Sequence, residues 1–329
     1  MNNEREFDII VWGATGFTGR LVAEYLYDQY GHDPSLKWAM AGRNAAKLEA
    51  VRNEVADDSV PMITADSNDE ASLDAMLKRT KVILTTVGPY GKYGSKLVAA
   101  CVENQTHYCD LSGEVPWMRQ MIDAHHAAAE ANGTKIVHTC GFDSIPSDMG
   151  VYFTQKKAIE QTGYPAKKIN MRVKAANGGI SGGTYASLGD AMEKASKDKQ
   201  LFKVLVEPYS LNPEGERDGP DKKDLRSVVY DDISQSYIFP FVMAGINTKV
   251  VRRSHALAGY PYGKEFEYDE AMMSGSGVSG QIRGIVSAGA LGLVVSAKPG
   301  SFLKKTIDRF LPEPGEGPDE ATRRAGFYN

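Results

Sequence analysis

The chain of 329 residues has only three cysteines, Cys101, Cys109 and Cys140, and none stands in C-x-x-C or metal-ligand spacing. A disulfide framework and a cysteine-built metal site are therefore excluded, and buried thiols in a reducing compartment are expected. An excess of basic charge is missing too, since 38 Lys and Arg face 42 Asp and Glu for a net charge of −4. Nucleic-acid binders carry a basic face, so no nucleic-acid partner is expected. A membrane-length hydrophobic run is also lacking. Gly284 to Ala297 is uncharged, but its roughly 14 residues would cover about 21 Å as a helix, against about 30 Å of hydrocarbon. A buried, glycine-rich helix in the core or at a homodimer interface is expected there, with peripheral membrane contact as the alternative. The opening MNNEREFD is charged and runs straight into a strand, so no signal peptide is expected and the location reads as cytoplasmic. His125-His126 has no further ligand in spacing, so no metal is expected. Internal repeats, low-complexity tracts and a Ser-Tyr-x-x-x-Lys set are absent as well.

What is present is the composition of an ordinary globular protein, 42% hydrophobic and 24% charged. Its length suits about two domains of roughly 150 residues. The apolar run Phe7 to Trp12 predicts a strand that breaks at Gly13; Gly16 and Gly19 follow at three-residue steps, and Leu21 to Leu26 reads as helix. Strand, glycine turn and helix in that order are the context in which a glycine motif means dinucleotide binding. Gly13 permits the tight turn, Gly16 the approach of a pyrophosphate, and Gly19 the packing of helix on strand. Thr15, Phe17 and Thr18 complete the cofactor loop, and the helix start supplies amides and a positive dipole end.

Strands then alternate with helices: Lys37 to Ala41, a helix over Ala45 to Val55, Pro61 to Thr64, a helix over Asp69 to Leu77, and Val82 to Val87. That rhythm predicts βαβ units in a doubly wound parallel sheet. The end of the second strand, where NAD sites place a carboxylate, carries Gly42-Arg43-Asn44 with Lys47 one turn later. A guanidinium can grip a 2′-phosphate with two charge-assisted bonds, so NADP(H) is expected. Asp66 ends the third strand and can meet the adenine edge or cap a loop. Gly88-Pro89-Tyr90 follows the fourth strand, where ligands of open α/β sheets lie, and Tyr90 either contacts ligand or packs. Asp110 and Glu114 are paired carboxylates that polarise a substrate or cap a helix. The strand Lys135 to Cys140 runs into Gly141 to Asp148; Asp143 and Ser144 read as facing nicotinamide, and Ser147-Asp148 as capping a helix over Met149 to Glu160. Beyond Lys168 the alternation changes to a two-residue period, followed by a glycine-rich start to a helix over Thr184 to Ser196. Ser227 to Tyr230 and Val250 to Arg252 read as strands, Phe239 to Ala244 as a pocket wall, and Arg252-Arg253 as a solvated pair or an acidic-substrate contact.

Gly13-Ala-Thr-Gly-Phe-Thr-Gly19, Ala41-Gly42-Arg43, Val87 to Gly91, Tyr108 to Glu114 and Gly141 to Asp148 occur in this order. With them the chain resembles the saccharopine dehydrogenase-like oxidoreductases. Ser181 to Thr184, Pro240 to Ala244, Val251 to Ser254 and Pro314 to Pro318 are similar to the bacterial branch that holds the trans-acting enoyl reductases. The resemblance implies an N-terminal Rossmann-type doubly wound parallel sheet over 1–145 and an α+β substrate or dimerisation domain over 146–329. It implies reduction of an activated double bond in a small-molecule or lipid-like substrate. Family members continue past the Pro-Gly-Glu-Gly-Pro region, so a chain ending at Asn329 is expected to leave part of the second domain uncovered. Tyr90 and Asp143 are the catalytic candidates for positioning or proton donation. Two other readings stand beside this one: a non-catalytic NADP(H)-binding protein, and a saccharopine-type C=N dehydrogenase.

Overall fold

The apolar runs of the first half become parallel strands: β1 (Phe7–Trp12), β2 (Trp38–Gly42), β3 (Met62–Thr64), β4 (Thr80–Thr85), β5 (His107–Asp110) and β6 (Ile136–Val137). In the computed structural model of the chain, residues 5–179, 181–297, 301, 304, 306–307, 309 and 315–329 are described. The six strands form one sheet in the order β3-β2-β1-β4-β5-β6, with every pairing parallel. Ile10, Val11, Ala39, Met40 and Ile83 are fully buried, as a parallel sheet covered on both faces requires. The order reverses direction between β1 and β4, and ligands of such sheets bind beyond the carboxyl ends at that switch.

The connecting helices are α1 (Phe17–Tyr30), α2 (Ala45–Val55), α3 (Glu70–Leu77), α4 (Tyr90–Tyr93), α5 (Ser95–Glu103) and α6 (Val115–Asn132). Their ends follow local chemistry. Asn44 Oδ1 accepts the Lys47 amide to start α2, Asp69 accepts the Ala71 amide to start α3, and Gly133 at φ 78° closes α6.

The second half holds α7 (Ile145–Thr162), β7 (Lys168–Val173), β8 (Ala176–Asn177), α8 (Gly182–Lys197), α9 (Lys199–Val206), β9 (Val229–Asp231), β10 (Ser236–Phe239), α10 (Ala244–Leu257), β11 (Glu267–Gly275), α11 (Gly277–Ser296), α12 (Glu320–Arg324) and β12 (Phe327–Tyr328). A mixed sheet runs β7-β11-β10-β9, and β12 pairs with β8. The chain divides into two compact units. One comprises Met1–Gly141, Ser181–Met192 and Glu313–Gly317, the other Phe142–Ile180, Glu193–Pro312 and Pro318–Asn329. The division is thus not the single cut at 145/146 expected from sequence, because two later segments belong with the first sheet. Residues 311–314, including Pro314 of the Pro-Gly-Glu-Gly-Pro run, lie outside the described residues.

Three local expectations are corrected. The helix expected from Met149 begins at Ile145, with Pro146 in its first turn, where a missing N–H costs nothing. Ser147 and Asp148 are therefore inside α7 and not its cap. Val250 to Arg252 is helical, part of α10, because Val251 is needed in a core with Val151, Phe266 and Tyr268. Arg252 is buried and ion-paired to Asp221 at 2.5 Å, while Arg253 donates to the Leu211 carbonyl, so neither reads as a solvated pair. The third correction is α11. Gly280 and Gly284 face the sheet: a Cβ on Gly284 would meet Ser274 Oγ at 2.8 Å, and one on Gly280 the Gly275 carbonyl at 2.1 Å, whereas Gly289 and Gly292 have nothing within 4 Å of that position. Val278, Ile282, Ile285 and Val286 point the other way and are 73%, 56%, 56% and 66% exposed. Of the two places expected for this segment, the core of the chain does not take Ile285, Val286 or Leu293, which leaves the homodimer interface as the other. No helix among the described residues is long and apolar enough to cross a membrane.

Candidate functional site

The cofactor loop is built by the turn from β1 into α1. Gly13 adopts φ +93°, and its amide and that of Ala14 donate to the Ala41 carbonyl at 3.0 and 3.1 Å. A side chain at Gly13 would be strained by that φ and would also meet Val87 Cγ2 at 2.6 Å. Gly19 packs so closely that its Cβ would lie 2.1 Å from the Gly13 carbonyl. Gly16 differs. Its backbone is extended, and a Cβ there would meet only the Gly13 carbonyl, at 3.4 Å. The space over Gly16 is thus left open by the chain, at the N-terminus of a helix with no side-chain cap and no acid in its first turn. That is the geometry of an anion cradle, and a dinucleotide pyrophosphate fits it.

At the end of β2 Arg43 is exposed, and so is Lys47. Neither side chain has an ion-pair partner among the described residues, whereas nearby Arg20 and Arg52 are paired with Glu54 and Asp58. Two unengaged cations beyond the second strand suit a 2′-phosphate. A Cβ on Gly42 would lie 3.5 Å from Thr15 Cγ2, an ordinary contact. Asn44 spends its side chain on capping α2. Asp66 accepts the Asn68 amide at 2.9 Å and so holds the loop after β3. A cavity lined by Phe7, Tyr30, Leu36 and Pro61 lies at the amino ends of β1 and β2. That is the wrong edge for a ligand of this sheet.

The loop after β4 is held from below. Glu114 is buried, and its two carboxylate oxygens accept the Tyr90 and Gly91 amides at 2.7 and 2.9 Å. Burial pushes its carboxyl up, opposed by those amides and the Ser187 hydroxyl. Gly88 and Pro89 present this loop, with a Cβ on Gly88 falling 3.2 Å from Ser187 Oγ. Tyr90 is a correction to the catalytic candidates. It is 3% exposed, its ring stacks on Trp117 at 5.5 Å, and its hydroxyl donates to the Thr85 carbonyl at 3.2 Å. Burial raises its pKa well above the phenolic range. It is a packing residue, the alternative the sequence left open.

Asp143, in the other compact unit, lies just before the start of α7. Its residue surface is exposed, yet the protein packed around the carboxyl raises its pKa by desolvation. Its neighbour Ser144 donates to Asn247 Oδ1 at 2.8 Å and is thereby committed to holding α7. Of the thiols expected to be buried, Cys101 is; Cys109 is half-buried and Cys140 exposed.

Sequence reasoning passed over one arrangement. Asp110 ends β5 with its side chain fully buried, and Oδ1 accepts the amides of Ser112 and Thr139, each at 2.9 Å. Oδ2 accepts the Tyr108 hydroxyl and His138 Nδ1, both at 2.7 Å. His138 follows β6 at the carboxyl edge of the sheet. Next to it Thr139 adopts φ +61°, a left-handed conformation that costs a β-branched residue about 1–3 kcal/mol. The Asp110 carboxylate holds that strained turn in place. The signal available in sequence was a histidine and an acid at the ends of successive strands.

Residues 9–137, which span the sheet and its glycine turn, match the saccharopine dehydrogenase NADP binding domain model. A Mycobacterium tuberculosis protein provisionally named a trans-acting enoyl reductase is 38% identical over 338 residues, covering 98% of this chain and 79% of that one. The chain belongs to the saccharopine dehydrogenase-like family. A trans-acting enoyl reductase of Mycobacterium ulcerans is 36% identical over 99% of this chain and 80% of its own length. A solved apo saccharopine dehydrogenase (L-Glu forming) from Saccharomyces cerevisiae matches at TM-score 0.41 and 16% identity, over 52% of this chain and 35% of that one. As a saccharopine dehydrogenase-like protein, this chain is an NADP-dependent oxidoreductase with a Rossmann-type α/β first domain and a second mixed-sheet domain.

Proposed function

We propose that the protein is an NADPH-dependent reductase of an activated carbon–carbon double bond in a lipid-like enoyl substrate, acting in the cytoplasm. The observation that carries this reading is similarity over nearly the whole chain, both compact units included, to relatives named trans-acting enoyl reductases. NADPH, when bound, supplies the hydride; the chain binds and orients. The open cradle over Gly16 and the start of α1 hold the pyrophosphate, with Thr15, Phe17 and Thr18 around it. Arg43 and Lys47 hold the 2′-phosphate. Gly88 and Pro89, fixed through Glu114, bound the nicotinamide ribose side.

The test is NADPH oxidation by the purified protein across a panel of enoyl thioesters and imines. Turnover of enoyl thioesters is expected. Turnover of imines alone would favour a saccharopine-type C=N dehydrogenase, and tight NADPH binding with no turnover a non-catalytic role.

The exposed apolar side of α11 supports a partner contact, either a second copy of the chain or a lipid surface. Ile285→Lys puts a charge in its middle. Wild type is expected to sediment as a dimer or to float with lipid vesicles, and the variant to lose whichever contact exists. A wild type that is monomeric and stays off vesicles would remove the assignment.

A further inference from the structure

We propose that His138 Nε2 is the proton donor to the reduced substrate and that Asp110 is its positioning residue, an inference that rests on the enoyl-reductase reading above. Reduction of an activated double bond needs a hydride on one carbon and a proton on the other. The hydride source is defined by the cofactor; a side chain at the same edge of the sheet is placed to supply the proton. Tyr90 and Tyr108 are both spent there, one on the Thr85 carbonyl and the other on Asp110. His138 is not spent. Its Nδ1 faces Asp110 Oδ2, an acceptor already bound by one hydroxyl, so Nδ1 carries a proton and donates. Nε2 has no partner among the described residues, although nine-tenths of the side chain is covered.

The ring is also fixed in orientation. It stands edge-on to Trp117 at 5.1 Å and to Tyr108 at 5.7 Å between ring centroids. A buried carboxylate that binds one imidazole nitrogen selects the tautomer and holds the ring. The titratable groups that face this pair are Tyr108 on β5 and, beyond Trp117, Tyr90; Cys109 on β5 and Cys140, past the end of β6, flank it along the chain. Thr139, strained and tied to Asp110, fixes the backbone on the other side of His138.

The step balances as follows. The substrate carbon β to the thioester carbonyl takes the hydride, and the electron pair of the C=C bond moves toward the carbonyl to give an enolate. The α-carbon then takes the proton from Nε2 as the N–H bond breaks. The neutral imidazole regains a proton from water, so each turnover consumes one NADPH and one proton. Positioned general acids contribute about 10²- to 10⁴-fold.

The experiment compares wild type, His138→Gln and Asp110→Asn on an enoyl thioester that wild type reduces. His138→Gln is expected to lower kcat by about 10²- to 10⁴-fold with NADPH affinity unchanged, and to abolish the alkaline fall of the kcat–pH profile. Asp110→Asn is expected to lower kcat less and to shift that profile. Unchanged kcat and pH profile in His138→Gln would overturn the proposal. A second arm needs no turnover: protonated imidazole quenches indole emission in contact with it, so Trp117 fluorescence should titrate with pH in wild type and not in His138→Gln. Saturated acyl thioester added with NADP⁺ should move that midpoint if Nε2 meets the ligand; no movement would overturn the proposal. An inactive wild type would sink the enoyl-reductase reading, and the fluorescence arm would still decide whether His138 faces a ligand.

Discussion

Gly16→Val is expected to fold normally and to lose NADPH binding by about 10²- to 10⁴-fold. The first half of that statement follows from the chain. Gly16 has φ −83° and ψ 166°, a conformation open to any residue, and a Cβ there meets only the Gly13 carbonyl at 3.4 Å. The second half follows from what the open space is for. A branched side chain over the start of α1 keeps phosphate oxygens from the loop amides, and a hydrogen bond to a charged group is worth about 1.5–3 kcal/mol. Losing two gives about 3–6 kcal/mol, which at 1.4 kcal/mol per decade is the range stated. Gly19→Ala provides the contrast, since its Cβ would sit 2.1 Å from the Gly13 carbonyl and must push the turn apart. That variant should lose thermal stability as well as cofactor. Thermal melts and NADPH titrations of the two variants check both halves. Wild-type affinity in a well-folded Gly16→Val would remove the pyrophosphate from this loop.

The phosphate end of the site was readable because each of its requirements is local. A strand, a glycine turn and a helix are consecutive in sequence, and the end of β2 is one residue from Arg43. The span of α2, Ala45 to Val55, was equally plain and is the one observed. Properties that depend on distant partners were not readable. His138 meets Asp110 across 28 residues, and the meeting exists because β5 and β6 pair in parallel. Tyr90 could have faced a ligand or the core; Trp117, on another helix, decided it. Val250 to Arg252 has the β-branched look of a strand, yet α10 needs Val251 for a core and Arg252 for Asp221. In α11 apolar residues surround the helix, so periodicity could not say which side meets the sheet. Gly280 and Gly284 do, because close backbone approach selects small residues.

The division of labour at the two ends of the site has a physical logic. The glycine turn binds through backbone amides, which any dinucleotide can use. The discrimination between NADPH and NADH must come from side chains that meet only the extra phosphate.

Arg43→Asp is expected to cost more than 100-fold in NADPH affinity and to leave NADH binding level or improved, so that cofactor preference inverts. Arg43 is exposed just beyond β2 and has no ion-pair partner among the described residues, so removing it takes no internal bond from the fold. Thermal stability should stay within experimental scatter. Arg43→Ala removes only the attraction. A hydrogen bond to a charged group is worth about 1.5–3 kcal/mol, or roughly 10- to 150-fold in affinity. Lys47, one helical turn away and also unpaired among the described residues, can turn toward the phosphate and keep Arg43→Ala near the lower end. Arg43→Asp adds repulsion between two negative groups and offers a carboxylate to the ribose 2′-hydroxyl, the partner that NAD sites use. Salt separates the contributions: the NADPH affinity of wild type should fall as ionic strength rises, and that of Arg43→Ala should fall less steeply. Calorimetric titration of wild type and both variants with NADPH and NADH, at two salt concentrations, measures all of this. Equal losses for the two cofactors, or none for either, would mean that the 2′-phosphate is read by some other side chain.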